Sequence, residues 1–482
     1  MLFCLGTSRA AASVLVVASL LTVAQPAAAL DQWEIDANAR IEQHRKAPLS
    51  VKVVDQNGNP VTGATVNVDM QKHAYGFGSM IRETRLYDER NLTTTDAVNY
   101  RNAIGLFNKA VLPRGHKQVF WEDPVFRTKT EYATNYLTDR GLEVRGHAMV
   151  WSQPNRVPDR VWDALDASAY TANNNIPYNV QYAKNQITNY IADVGGHFKN
   201  QVKEWDVVNE PGAHPWLTRE FNKAVTPAPA SDQQAPVMLD WFNAAKAAVG
   251  PNAQLYINEY SAFEAGAYNA PAYKRAIQYL KDNNAPLGGI GLQAHFYDAG
   301  YANGLTPTGI YSKLNEYAAY GVPLQLTEVD IGGTGWGSSG KPTRAQFLHQ
   351  LMKQTFSHAS TEGVMMWGFW DTDKNESEAF LYDSNWNIKP EGQAWLDLVY
   401  RDWWTKLNGV TSDNGAFADR GFLGDYLATV QYGGQSFATN FSLDGSGGVV
   451  TVVVPEPGVA AAGLAGGFAA LLLRRRWPRL AV

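Results

Sequence analysis

Trp205-Asp206-Val207-Val208-Asn209-Glu210-Pro211 and Leu326-Thr327-Glu328-Val329-Asp330 are apolar runs that each deliver a carboxylate where the run ends. Similar runs recur with helix-length intervals between them: Tyr75 to Met80, Leu106 to Val111, Glu143 to Trp151, Val202 to Asn209, Gln254 to Asn258, Gly289 to His295, Pro323 to Val329 and Val364 to Trp370. Near-continuous apolar runs mark strands buried on both faces. Eight of them alternating with helical segments predict a (β/α)8 TIM barrel over residues 75–398. A doubly wound sheet competes, but no Gly-x-Gly-x-x-Gly turn follows the first run.

The barrel is flanked by shorter elements. Asp31 to Lys46 has helical character, with Asp31 as cap and Trp33, Ile35, Ala37 and Ile41 as its apolar residues. Ser50 to Val54 and Thr65 to Met70 alternate around Asn57-Gly58-Asn59-Pro60, so residues 30–74 are expected to hold this helix and a β-hairpin. Residues 399–453 return to strand-like pieces, including Tyr426 to Tyr432 and Gly448 to Val454, which are expected to pack with the hairpin as a small β appendage.

Composition narrows the function. The 482 residues carry 41 Lys and Arg against 46 Asp and Glu, a net charge of −5 that argues against a nucleic-acid partner. The 15 Trp, 23 Tyr and 19 Phe supply flat apolar faces of the kind on which sugars stack. Residues 1–29 combine Arg9, the apolar run Ala11 to Val23 and Ala27-Ala28-Ala29, the layout of a signal peptide. The run is shorter than the ~20 residues of a membrane span. The single cysteine, Cys4, lies within it, so the exported chain would have no disulfide and no cysteine chemistry.

At the other end, residues 454–482 hold Val454-Pro455-Glu456-Pro457, the small apolar stretch Gly458 to Leu473, and Arg474-Arg475-Arg476. This resembles the PEP-CTERM sorting tail of Gram-negative bacteria. The resemblance implies an exosortase-type processing enzyme as partner, only transient membrane contact through the tail, and a secreted or cell-envelope location.

A barrel of this class carries its chemistry at the C-terminal ends of its strands. Glu210 and Glu328 reach that end from the fourth and seventh runs. Two carboxylates on one face can flank a glycosidic bond, one protonating the leaving oxygen and the other attacking the sugar carbon. Glu328 beside Glu210 is expected to raise the pKa of the acid. His147, His295, Glu210 and Asp330 are metal-ligand types, but there is no His-x-His or His-Glu-x-x-His pair, so neither a metal nor another cofactor is expected.

Trp205 to Pro211, Thr327 to Asp330, Arg145-Gly146-His147 with Trp151, and Gly289-Ile290-Gly291-Leu292-Gln293-Ala294-His295 together resemble the motifs of glycoside hydrolase family 10, the retaining endo-β-1,4-xylanases. The resemblance runs from about Tyr75 to Leu398, and Arg420 to Tyr426 is similar to the tail of the plant-like branch. It implies Glu210 as acid/base, Glu328 as nucleophile, Asn209 on the sugar 2-hydroxyl, and His295 orienting Glu328 with Asp330 behind it. It further implies that Lys117, His147, Trp151, Gln293 and Trp367 bind a xylan-like polysaccharide.

The departures from that pattern cluster. Pro113-Arg114 stands where the family has Glu-Asn, Gln118 where it has Trp, Ser152-Gln153 where a His follows the third-strand Trp, and Ser377-Glu378 where it has Ser-Trp. A different β-linked polysaccharide, or a binding protein without turnover, is therefore an alternative. Arg114 adds a cation that suits a uronic-acid-bearing chain.

Overall fold

The computed structural model describes residues 30–167, 176–338, 340–373 and 379–455. Eight parallel strands close a ring: β1 (Gly76–Met80), β2 (Lys109–Val111), β3 (Glu143–Gly146), β4 (Val202–Asn209), β5 (Gln254–Glu259), β6 (Gly289–Leu292), β7 (Leu324–Ile331) and β8 (Thr361–Met366). Each pairs with the next, and β8 returns to β1 through Gly363 opposite Gly76 and Met366 opposite Ser79. The TIM barrel expected from the apolar runs is present.

Three runs are broken where the chain bends. Ile104–Leu106 is a 3-10 turn, so β2 begins only at Lys109. The third run resumes as Val150–Trp151 and the sixth as His295–Phe296. Ala294, between Gln293 and His295, takes a left-handed φ of 62° that interrupts the sixth.

Outside the ring, helices bury one stripe each. In Val180–Phe198 the buried residues Ala183, Ile187, Tyr190, Ile191 and Val194 fall three or four positions apart, and Asn179 caps the start by accepting from the Tyr182 backbone N–H. Size is matched residue by residue on both faces of the ring. A Cβ on Gly146 would lie 2.1 Å from the buried Trp205 ring, and one on Gly291 would lie 2.3 Å from Asn258 Oδ1. Glycine at these positions leaves room for Asn258 inside the ring and for Trp205 on its outer face, where it packs on His116.

A buried charge ladder crosses the interior. Lys109 Nζ donates to Glu204 Oε1 at 2.5 Å, Arg145 Nη1 reaches Glu204 Oε2 at 3.3 Å, and the Arg145 Nε and Nη2 fork donates to both oxygens of Asp206. With Arg145 1% exposed and Asp206 fully buried, each charge depends on its partner, because an unpaired ion there would be strongly destabilising.

The appendage corrects one expectation. Lys46–Val54 and Thr65–His73 do not form a hairpin but belong to two different sheets. Lys46–Val54 lies between Ala416–Phe422, antiparallel, and Gly448–Val453, parallel, so neither of its edges is open to the other strand. Thr65–His73 lies between Lys406–Val410 and Gly424–Tyr432, with Gln435–Leu443 beyond. Leu49, Val51 and Val53 join Val66, Val68 and Met70 in one apolar core, as facing rather than adjoining strands allow. The connection is held by Asp55 Oδ1, which accepts from the backbone N–H groups of Asn57 and Asn59. In the helix Gln32–His44, Ala37 and Ile41 are buried as expected, whereas Ile35 faces solvent.

The expected leader at residues 1–29, most of the expected sorting tail, and Ser377-Glu378 lie outside the described residues. Among the described residues no helix is long and apolar enough to cross a membrane.

Candidate active site

At the C-terminal end of the barrel a cavity of about 450 Å³ is lined by Glu210 and Glu328 together. Lys117, His147, Trp151, Gln293, His295, Asp330 and Trp367 line the same cavity, so the residues singled out from sequence converge there, Asn209 excepted. Asn209 is buried beneath it, its Oδ1 accepting from Asn258 Nδ2 at 2.9 Å and from Gln293 Nε2 at 3.4 Å.

These amides join the two carboxylates. Gln293 Nε2 donates to Glu210 Oε1 at 3.0 Å, and Asn258 Nδ2 donates to Glu328 Oε1 at 2.9 Å. Asn258 is held in turn by Thr327 Oγ1, which donates to its Oδ1 at 2.7 Å. A five-residue relay, Glu210–Gln293 and Asn258–Glu328 meeting on Asn209, thus ties β4, β5, β6 and β7 together at the cavity floor.

Glu210 sits just past β4 with φ at 58°, a left-handed conformation that costs a non-glycine residue about 1 kcal/mol or more and recurs at functional sites. The turn is pinned from below: Glu259 Oε2 accepts from the backbone N–H groups of Gly212 and Ala213 at 2.7 and 3.2 Å. Trp151 Nε1 donates to Glu210 Oε2 at 2.7 Å, and His214 Nδ1 lies 2.8 Å from the same oxygen, somewhat off the hydrogen-bond line.

The electrostatics of Glu210 run opposite to expectation. Burial works to raise its pKa, but His214, Gln293 and Trp151 outweigh burial and hold the carboxyl below its ordinary value. Proximity to Glu328 is not the governing influence. Sequence reading missed His214, whose only signal is a spacing of four residues from Glu210 on one turn.

Around Glu328, His295 Nε2 lies 3.5 Å from Oε2 and His147 Nε2 3.8 Å from Oε1. Each ring is braced by an aspartate: His295 Nδ1 is 3.0 Å from Asp330 Oδ2, and His147 Nδ1 is 2.9 Å from Asp206 Oδ2. Burial alone would favour neutral His295, yet Asp330 and Glu328 reverse this and lift its pKa to about 10. Tyr297, also missed from sequence, stacks on the His295 ring at 5.3 Å and 10°. Trp367 meets the His147 ring edge-on at 5.5 Å.

Lys117 is buried, with its ammonium 4.5 Å from the Trp151 ring centroid and bonded to the Pro113 carbonyl. Burial lowers its pKa to about 8, against the pull of Glu328. No cluster of three or more ligand-type side chains arranged to hold a metal occurs among the described residues.

Comparison with known proteins agrees with this architecture. The chain is 28% identical over 429 residues to the anti-sigma-I factor RsgI6 of Acetivibrio thermocellus, covering 87% of this chain and 50% of that protein. It is 25% identical over 420 residues to Endo-1,4-beta-xylanase 1 of Arabidopsis thaliana, covering 84% and 39% respectively. It therefore spans half or less of the length of these curated relatives. Among solved structures, xylanase 10B of Thermotoga petrophila in complex with xylobiose superposes with a TM-score of 0.52 at 22% identity, over 68% of this chain and 95% of that one. A GH10 structure from Paenibacillus barcinonensis gives 0.53 at 20% identity, over 68% and 96%. These likenesses concern the fold. Residues 115–398, more than half of the sequence and six of the eight barrel strands entire, match the family description directly: the chain belongs to glycosyl hydrolase family 10.

Proposed function

We propose that the protein is an exported retaining β-glycoside hydrolase that cleaves β-1,4-xylan or a decorated xylan, with Glu210 as acid/base and Glu328 as nucleophile. The observation that carries this reading is the joint presence of both carboxylates in one cleft, tied through Gln293, Asn209 and Asn258. Glu210 would protonate the leaving oxygen while Glu328 attacks the anomeric carbon, and Glu210 would then activate the water that releases the glycosyl-enzyme.

In the free protein Glu210 favours its ionised form. A bound saccharide excludes water from the carboxylate, and its glycosidic oxygen, an acceptor without a proton, can pair with Glu210 only when the carboxyl is protonated. Both effects move Glu210 toward the proton-carrying form that the first step needs. Protonated His295, steadied by Asp330, would keep Glu328 aimed. Asn209, set under the cleft beside Glu210, would offer its amide to the sugar 2-hydroxyl. Lys117, His147, Trp151, Gln293 and Trp367 would hold the sugar ring.

Xylan is favoured by the similarity to Endo-1,4-beta-xylanase 1 of Arabidopsis thaliana. The leader and PEP-CTERM-like tail support export from a Gram-negative cell with processing by an exosortase-type enzyme. Reducing-sugar release from xylan, abolished in Glu328→Ala and Glu210→Gln, together with the β-anomer as first product by NMR, is the expected outcome. Inversion of configuration would overturn the double displacement.

A second reading is a polysaccharide-binding protein without turnover. It is favoured by the similarity to a protein named as an anti-sigma factor. Binding of xylan with no release of reducing ends, unchanged in Glu328→Ala, would establish it instead.

A further inference from the structure

One end of the cleft is rich in cations that the two-carboxylate chemistry does not use. We propose that Arg114 and Arg156, with Arg82 beside them, form a subsite for an anionic sugar, gripping the carboxylate of a uronic acid or a sulfate ester one ring away from the cleavage point. The proposal rests on the glycosidase reading above and names its substrate class.

The three arginines follow three consecutive strands, β1, β2 and β3, and line the cavity that holds Glu210 and Glu328. Trp151 sets their distance from the chemistry. Its indole nitrogen is bonded to Glu210, while the Arg156 guanidinium lies 5.2 Å from the centre of the same ring. The cations therefore begin about one indole width from the acid.

Among the described residues two of these charges have no ion-pair partner. Arg82 is partnered by Asp373, which also receives Arg85 Nε at 2.9 Å. Arg114 is exposed and has no hydrogen bond or ion pair among the described residues. Arg156 donates from Nη1 to the adjacent Asn155 carbonyl and makes no ion pair among the described residues. A planar anion is the partner that a guanidinium group matches.

Charge balance points the same way. Burial, then repulsion from Arg114, depresses the pKa of Arg156, so the two guanidinium groups feel each other. Two acids lie nearby: Glu210 attracts Arg156 without outweighing burial and Arg114, and Glu83, beside Arg114 and Arg82, is pushed up to about 7 by burial, so compensation is partial. An anionic substituent would relieve the repulsion between the two guanidinium groups, which a neutral sugar hydroxyl could not.

The test is calorimetric binding to the full chain carrying Glu328→Gln, which leaves the ligand uncut. Three β-1,4-xylo-oligosaccharides of equal length serve as probes: neutral, bearing a glucuronic acid, and bearing a sulfate ester. One anionic probe is expected to bind about tenfold or more tightly than the neutral one at low salt, the weight of one charge-assisted pair. That probe identifies the source of the anion. The ratio should collapse toward one in Arg114→Ala, a surface change that does not threaten folding, and in Arg156→Ala, and it should shrink in high salt. Equal affinity for all three probes, or an advantage that survives both substitutions, overturns the subsite while leaving the glycosidase reading intact. Failure to bind any of the three overturns the glycosidase reading and the subsite with it.

Discussion

His214 Nδ1 lies 2.8 Å from Oε2 of Glu210, four residues before it on the same turn. Gln153 Nε2 sits 2.6 Å from the other ring nitrogen, and an amide N–H there can only donate, so the His214 proton is directed at Nδ1 and toward Glu210. The carboxylate is thereby stabilised in its charged form, the opposite of what the proposed acid role requires.

His214→Ala is accordingly expected to raise the pKa of Glu210, since burial then acts with less opposition. The alkaline limb of the kcat/KM profile reports the group that must be protonated in the free enzyme, so that limb should move to higher pH. A limb that stays in place or moves down would show that His214 does not control Glu210.

His295, lifted to about 10, carries both ring protons at pH 8. Imidazole nitrogen NMR should find two protonated nitrogens there, and Asp330→Asn should return the ring to a titration at lower pH. The linkage has a definite sign. A raised histidine pKa contributes stability that is complete below about 6.5 and is lost as pH rises through about 10. Wild-type urea midpoints should therefore fall across that alkaline window more steeply than those of Asp330→Asn.

Gly291→Ala places a methyl group 2.3 Å from Asn258 Oδ1 and 3.1 Å from Thr327 Cγ2. Asn258 cannot then bridge Asn209 and Glu328 in its present position. Displacements of about 1 Å at such a site cost about 100-fold in rate, so kcat should fall by that order while far-UV circular dichroism is retained. Full activity in this variant would remove the relay from the mechanism.

Arg145→Met leaves Asp206 buried without its guanidinium fork and takes one of two cations from Glu204. Removing one partner from buried ion pairs costs about 3–5 kcal/mol, which denaturant unfolding would register directly. Because Asp206 braces His147 against Glu328, residual activity should also drop.

Much of this architecture is legible along the chain because burial on both faces leaves a local mark. Each barrel strand is an apolar run, and Glu210 and Glu328 stand out because they end two of them. The hairpin expectation failed for a complementary reason. Alternation in Lys46–Val54 and Thr65–His73 says which side chains turn inward, but not which strand lies alongside, and the partners of both come from residues 406–453. Asn258 and Tyr297 escaped notice because their importance comes from neighbours far away in sequence.

The amino-acid order alone determined the ring of strands and the two glutamates at its C-terminal mouth, since each is written in consecutive residues. Only the tertiary structure decided the charge state of Glu210, the pairing of the flanking strands and the gathering of Arg82, Arg114 and Arg156 on one wall. Electrostatic energy depends on distance through space and on burial, and neither quantity is a property of position along a chain.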